Sequence, residues 1–211
     1  MAERVLVRSI DADDTLVDRG PLLRAWGLAV EKARRRTHKA VSLDSIPQMG
    51  HAAIDIPVKS IPERLFLIAH SRRKLLNGVS EALSESLVGE RHSKNIVNTG
   101  RSNKLEWTRM TVDQFTNLGI DPYFLRYTFK PSGVSSTASK LDVIRQLIKD
   151  GNDVEHYDDD PRTALVIADA FPNVTVNLLH HTLTGMMIPR EQLIRPNLHI
   201  VSHIGEGITR K

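Results

Sequence analysis

Short β-branched and apolar runs alternate with segments of helical period along most of this chain, and that alternation constrains the fold more than any other feature. Residues 4–10, RVLVRSI, form a strand pattern that stops abruptly at Asp11, Asp13 and Asp14. NIVN at 95–98 is a second candidate strand, ending at Thr99-Gly100-Arg101, and YFLRYTF at 123–129 is a third. DVEHY at 153–157 leads into Asp158-Asp159-Asp160, and NVTVNLL at 173–179 completes the set. Helical spacing predicts helices from Pro21 to about Arg36, from Pro62 to about Leu87 with a break near Gly78, over 104–118, from Lys140 to Asp150, and from Pro161 to Phe171. Gly151 suits the end of the Lys140 helix, while Asp160 and Pro161 suit the start of the next one as N-cap and first-turn residue. Residues 40–61, with Pro47, Gly50 and Pro57, read as irregular connection, and Ser202 to Lys211 reads as a loose tail. This order of elements predicts an α/β fold with a mostly parallel sheet. Ligands in such sheets collect at the carboxyl ends of strands, and three of the predicted strands end in DADDT, NTGRS and DDDPR.

The chain's 211 residues suit one domain, or one domain with a modest insert. With 40% apolar and 26% charged residues it is neither disordered nor fibrous in composition. The absence of cysteine excludes a disulfide framework, a thiol nucleophile, an iron–sulfur cluster and a cysteine zinc site. Catalysis must then rest on carboxylates, hydroxyls, histidine, lysine or a hard metal. No apolar window approaches the roughly 18 to 20 residues of a membrane span, and the N-terminus has no signal-peptide pattern, so the expected location is cytoplasmic. Residues 19–98 carry 14 basic and 7 acidic side chains within a net charge of +4 for the whole chain. Two runs dominate the block: Arg34, Arg35, Arg36, His38 and Lys39, then Arg72, Arg73 and Lys74. Such runs attract a polyanion or a phosphorylated ligand, or else simply solvate helix faces.

The strand ends carry the chemistry. Asp11 and Asp13, two residues apart in a turn, allow one acid to face a ligand as nucleophile while the other stands beside it as proton donor; a carboxylate that attacks phosphorus forms an acyl phosphate, which water then cleaves. Thr99 offers a hydroxyl at a strand end, and Gly100 lets the backbone N–H approach an anion. Lys140, 18 residues before Asp158, supplies an ammonium for a phosphoryl group or an attacking carboxylate; Lys130 is its competitor, and Lys140 is favoured by the clear apolar face of the helix that follows it. Three adjacent acids at the end of a buried strand need compensation, and oxygen ligands suit Mg²⁺. His180 and His181, adjacent on a strand, point to opposite faces and do not share a ligand. Trp26 and Trp107 read as core residues on helical faces rather than base-stacking platforms.

DADDTL, NTGR, Lys140 and YDDDP, in that order, resemble the four motifs of the haloacid dehalogenase (HAD) superfamily of phosphohydrolases, over residues 5 to about 180. The resemblance implies a Rossmann-like core, a Mg²⁺ ion and an aspartyl-phosphate mechanism. By position, Asp11 is the implied nucleophile, Asp13 the general acid and then base, Thr99 the phosphate-orienting hydroxyl and Lys140 the charge neutraliser. Asp11, Asp13, Asp158 and Asp159 are the implied metal ligands. The first two motifs are separated by more chain than a minimal core needs, which implies residues 1–18 and 95–211 as core and 19–94 as a helical insert or cap. The stretch from NTGRSNKLEWT to YDDDP is also reminiscent of the branch containing polynucleotide 3′-phosphatases.

Three functions compete. The first is a Mg²⁺-dependent phosphatase acting on a phosphomonoester, whose partner is a phosphorylated small molecule or a nucleic acid end. The second is a nucleic-acid-binding or end-processing protein that uses the basic insert, with 3′-phosphatase activity or a vestigial site. The third is a phosphotransferase or another HAD-type reaction such as carbon–halogen cleavage, against which Asp13 argues.

Overall fold

The computed structural model describes residues 4–18, 71–88, 93–180 and 189–209. Six strands, β1 (Leu6–Ile10), β2 (Ser93–Ser102), β3 (Phe124–Lys130), β4 (Asp153–Asp158), β5 (Thr175–Leu179) and β6 (Leu198–Val201), form one parallel sheet in the order β3-β2-β1-β4-β5-β6. The chain builds outward from β1 through β2 and β3, then crosses to the other side of β1 and builds outward again. The reversal opens a crevice at the carboxyl edge between β1 and β4, where α/β sheets bind their ligands. The α/β, Rossmann-like expectation is thus met.

Among the described residues, five helices cover the sheet: α1 (Val79–Val88), α2 (Leu105–Asn117), α3 (Ser136–Lys149), α4 (Pro161–Ala170) and α5 (Ile204–Thr209). Period-two alternation sends Ile10, Val97, Tyr157 and Leu179 toward α1, α2 and α5, and sends Val7, Ile96, Val154, Val176 and Leu178 toward α3 and α4. Two apolar clusters result, one on each face.

Four sequence expectations need adjustment. α3 begins at Ser136 rather than at Lys140, because the Ser135 hydroxyl accepts the Ala138 N–H at 3.1 Å as an N-cap, so Lys140 lies in the second turn. In the helix expected from Pro62, the break expected near Gly78 is present, with Gly78 at φ +76° and α1 starting after it, but it is wider: Arg73 to Asn77 are not helical either. β2 is longer than NIVN. The tail is not loose, because LHIV adds β6 and α5 then buries Ile204 and Ile208, one turn apart, against the core. Gly207 lets α5 close on Tyr157, since a Cβ there would stand 2.6 Å from Tyr157 Cε1.

α1, assigned to the insert by sequence, packs Val79, Ala82 and Leu83 into the same cluster as β1. Two short stretches of chain are paired beside this core: Asp18 N–H donates to the Lys74 carbonyl at 2.9 Å, and Leu76 N–H to the Leu16 carbonyl at 3.0 Å. The helix from Pro21, the connection 40–61, the helix from Pro62 up to residue 70, the run Arg34–Lys39, Trp26 and His181 lie outside the described residues. No described helix is long and apolar enough to cross a membrane.

Candidate active site

The turn after β1 is folded tightly on itself. Leu16 and Val17 both donate N–H to the Ala12 carbonyl at 3.0 Å, and Asp14 donates to the Val17 carbonyl at 2.8 Å. Asp14 takes φ +58°, a left-handed conformation that aspartate tolerates better than most residues. Asp11 N–H donates to the Tyr157 carbonyl at 2.9 Å, which extends the β1–β4 ladder by one step and fixes Asp11 at the carboxyl edge. Because Val7, Ser9 and Asp11 alternate to one face, Asp11 points toward the side covered by α3, and so does Asp158 of β4.

Lys140 descends from α3 between these acids. Its Nζ donates to Asp158 Oδ2 at 2.7 Å and stands 3.0 Å from Asp11 Oδ1, with all three side chains buried. Asp159 completes the group: one ligand oxygen from each of Asp11, Asp158 and Asp159 lies within 4.8 Å of the others. The Asp160 N–H donates to Asp158 Oδ1 at 2.9 Å, and the Asp160 carboxylate accepts the Arg162 N–H at 3.1 Å, capping α4 as expected.

Burial raises the pKa of Asp11 to about 6, with the Asp158 and Asp13 charges adding to it and Lys140 opposing. Burial works in the same direction on Asp158, yet Lys140 and the hydrogen bond from His156 outweigh it and hold Asp158 below the usual carboxylate range. Burial alone would lower Lys140, but Asp11 and Asp158 raise it, so the ammonium persists at neutral pH. Three clustered carboxylates that offer only oxygen atoms form a donor set that fits a hard divalent cation such as Mg²⁺.

Asp13 is placed differently. Its carboxylate receives a two-pronged contact from Arg101, Nη2 to Oδ1 at 2.7 Å and Nε to Oδ2 at 3.2 Å, and a further hydrogen bond from Arg73. Arg101 is itself held by Thr111 Oγ1 at 3.0 Å and Gln114 Oε1 at 2.9 Å. The carboxylate of Asp13 therefore faces two arginines, whereas the cluster of possible metal ligands consists of Asp11, Asp158 and Asp159. Thr99 lies within β2 rather than beyond it, buried, with its hydroxyl accepting the Arg101 N–H at 3.2 Å. Gly100 leaves room for the start of α3, where a Cβ would collide with the Ser136 hydroxyl.

Between the two candidate lysines, Lys140 is the one beside Asp11, while Lys130 ends β3 with its carbonyl accepting the Asn103 N–H. His180 follows β5, and its N–H donates to the Val201 carbonyl. Trp107 is buried, as expected of a core residue. Arg72 and Lys74 are exposed, but Arg73 is buried against Asp13, which removes it from any solvated face. Sequence reasoning missed Arg73 and Arg101 as site residues, and it also missed Ser9, Asn98 and His156, which line the floor of the site. Strand parity carried a signal for the last three, since each is a polar residue at a position facing the α3 side.

No family model matches the sequence, and neither does any curated protein. Solved structures do match at the level of fold. A haloacid dehalogenase-like family hydrolase from Streptococcus pneumoniae is 14% identical, with a TM-score of 0.59 and 97% of each chain covered. A predicted phosphoglycolate phosphatase from Haemophilus somnus is 16% identical, with a TM-score of 0.57, covering 99% of this chain and 98% of its own. A protein designated a HAD hydrolase from Bacillus subtilis, bound to magnesium, is 11% identical, with a TM-score of 0.56 and 97% of each chain covered. With the six-stranded order and the carboxylate–lysine cluster at its switch point, the chain has the fold of the haloacid dehalogenase-like hydrolases.

Proposed function

We propose that this protein is a Mg²⁺-dependent phosphatase that hydrolyses a phosphomonoester, a phosphorylated small molecule or a nucleic acid end, through an aspartyl phosphate on Asp11. The observation that carries the reading is the buried Lys140 ammonium, bonded to Asp158 and 3.0 Å from Asp11 at the carboxyl edge of β1 and β4, with Asp159 beside them. The magnesium bound to the Bacillus subtilis protein of the same fold supports the choice of cation. Asp11, Asp158 and Asp159 would hold Mg²⁺, which when bound offsets negative charge on the phosphoryl oxygens.

The chain's own groups account for the remaining chemistry. An Asp11 oxygen attacks phosphorus, and the bond to the leaving oxygen breaks as that oxygen takes a proton from Asp13. Lys140 offsets the charge gathering on the phosphoryl group. Asp13, now a carboxylate, removes a proton from water as the water attacks phosphorus, which releases phosphate and restores Asp11. Asp13 must be protonated for the first step and ionised for the second, and its carboxylate is bonded to Arg73 and Arg101 in the structure. A screen of sugar phosphates, nucleotides and 3′- and 5′-phosphorylated oligonucleotides, with and without Mg²⁺, tests the reading. Turnover that needs Mg²⁺ and is abolished in a folded Asp11→Asn variant supports it, and activity that survives Asp11→Asn refutes it.

A further inference from the structure

Beneath Lys140, three adjacent strands each place one buried polar side chain on the face covered by α3: Ser9 on β1, Asn98 on β2 and His156 on β4. Their neighbours on that face, Val7, Ile96 and Val154, are apolar core. A histidine here costs desolvation free energy that an apolar residue would avoid, and only specific hydrogen bonds offset that cost.

The direction of each bond follows from the carboxylate end. Asp158 as a carboxylate can only accept, so His156 Nε2, 3.0 Å from Asp158 Oδ2, must carry the ring proton. Nδ1 of the neutral ring is then bare and accepts from the Ser9 hydroxyl at 3.1 Å. Ser9 Oγ, having donated its hydrogen, accepts from Asn98 Nδ2 at 3.0 Å. At the other end Asp158 Oδ2 takes Lys140 Nζ as a second donor at 2.7 Å, and Lys140 reaches Asp11. One chain of hydrogen bonds thus runs across three strands to the Asp158–Lys140–Asp11 group, with a single consistent donor order.

We propose that His156 is a positioning residue: its Nε2–H orients the Asp158 carboxylate that Lys140 and a cation bound there would share, and Ser9, itself held by Asn98, supplies the hydrogen bond that satisfies the bare Nδ1. The inference rests on the reading of Asp158 as part of the phosphatase site. Outer partners of this kind typically change metal affinity or activity by about 10–100-fold when removed.

Two measurements test it. In the metal-free protein, ¹⁵N–¹H correlation of the imidazole nitrogens above about pH 8, where imidazoles are neutral, reads the tautomer directly, with His156 assigned from the signal lost in His156→Gln. The Nε2–H tautomer is expected, and the Nδ1–H tautomer would overturn the proposal. Titration of Mg²⁺ alone into the wild type, His156→Leu and His156→Gln supplies the second readout. His156→Leu should weaken Mg²⁺ binding about tenfold or more, and His156→Gln, which retains a side-chain N–H donor, should recover most of that loss. In turnover, His156→Leu should lower kcat with little change in KM. Mg²⁺ affinity in His156→Leu within about twofold of wild type, or equal losses in the two variants, would overturn the proposal. Should His156→Leu fail to fold, Ser9→Ala takes its place, with weaker Mg²⁺ binding expected and unchanged binding overturning the role. The tautomer measurement needs no phosphatase activity, so an inactive wild type would defeat the functional reading without deciding this one.

Discussion

Replacing Lys140 with methionine keeps an unbranched, buried side chain of similar length but removes a positive charge that touches both Asp11 and Asp158. At an effective dielectric of about 20, unit charges about 3 Å apart attract by roughly 5 kcal/mol, and much of that is cancelled by the cost of desolvating them. Breaking a buried pair by removing one partner costs about 3–5 kcal/mol, because the remaining charge is left buried. Lys140 serves two carboxylates, which argues for the upper part of that range. In a domain of this size 1 kcal/mol shifts Tm by about 2–4 °C, so Lys140→Met should lower the metal-free Tm by about 6–20 °C. Added Mg²⁺ should narrow the gap, since the cation offsets repulsion among the acids that the lysine no longer relieves. Thermal melts by circular dichroism, in chelator and in Mg²⁺, measure both quantities. The control is Lys130→Met at the end of β3, expected to stay within about 2 °C of wild type. A metal-free Tm for Lys140→Met within that same margin would refute the claim that Lys140 carries the buried charge of the site.

Asp13→Asn should slow hydrolysis of an alkyl phosphate far more than the first step with nitrophenyl phosphate, whose leaving group needs little protonation; equal losses in steady-state and burst kinetics would count against a general acid. Asp11 must be ionised to bind a cation, so Mg²⁺ affinity measured by titration calorimetry should fall as pH drops through about 6. Its folded pKa lies above the ordinary 3.8, so in the metal-free fold its contribution to stability is greatest below that value and is lost as pH rises through about 6. Mg²⁺ should therefore raise Tm more at pH 8 than at pH 5. Gly207→Ala sets a methyl against Tyr157 Cε1 at 2.6 Å, an overpacking worth about 1–3 kcal/mol, and the melt should show a lower Tm; an unchanged Tm would contradict the packing of α5 against β4.

The carboxylate sites were legible because the chain writes them as abrupt changes, an apolar run ending on acids, and a parallel sheet gathers such ends on one rim. Lys140 was legible through the amphipathic pattern after it, but its helix start was not, because the cap at Ser135 hides in a run of small polar residues. β6 and α5 escaped notice for a different reason. LHIV is too short to show alternation, and IGEGIT contains two glycines that suggest a loop, although one of them serves close packing on Tyr157. The arginines on Asp13 were not legible at all. Arg73 sits in a basic run that reads as solvated, and only the fold brings it 60 residues back along the chain to Asp13, alongside Arg101 from β2. His156 looked like one more strand residue until the parity of β4 placed it beneath Asp158.

The most direct test of the account is to trap the covalent intermediate. Asp13→Asn, mixed with nitrophenyl phosphate and Mg²⁺ and quenched rapidly, should accumulate the acyl phosphate because the second step lacks its base. Borohydride reduction converts an aspartyl phosphate to homoserine, and peptide mapping by mass spectrometry then locates it. The account predicts homoserine at position 11 and nowhere else, dependent on substrate. Reduction at another acid, or turnover in the wild type with no reducible intermediate under any quench, would contradict it.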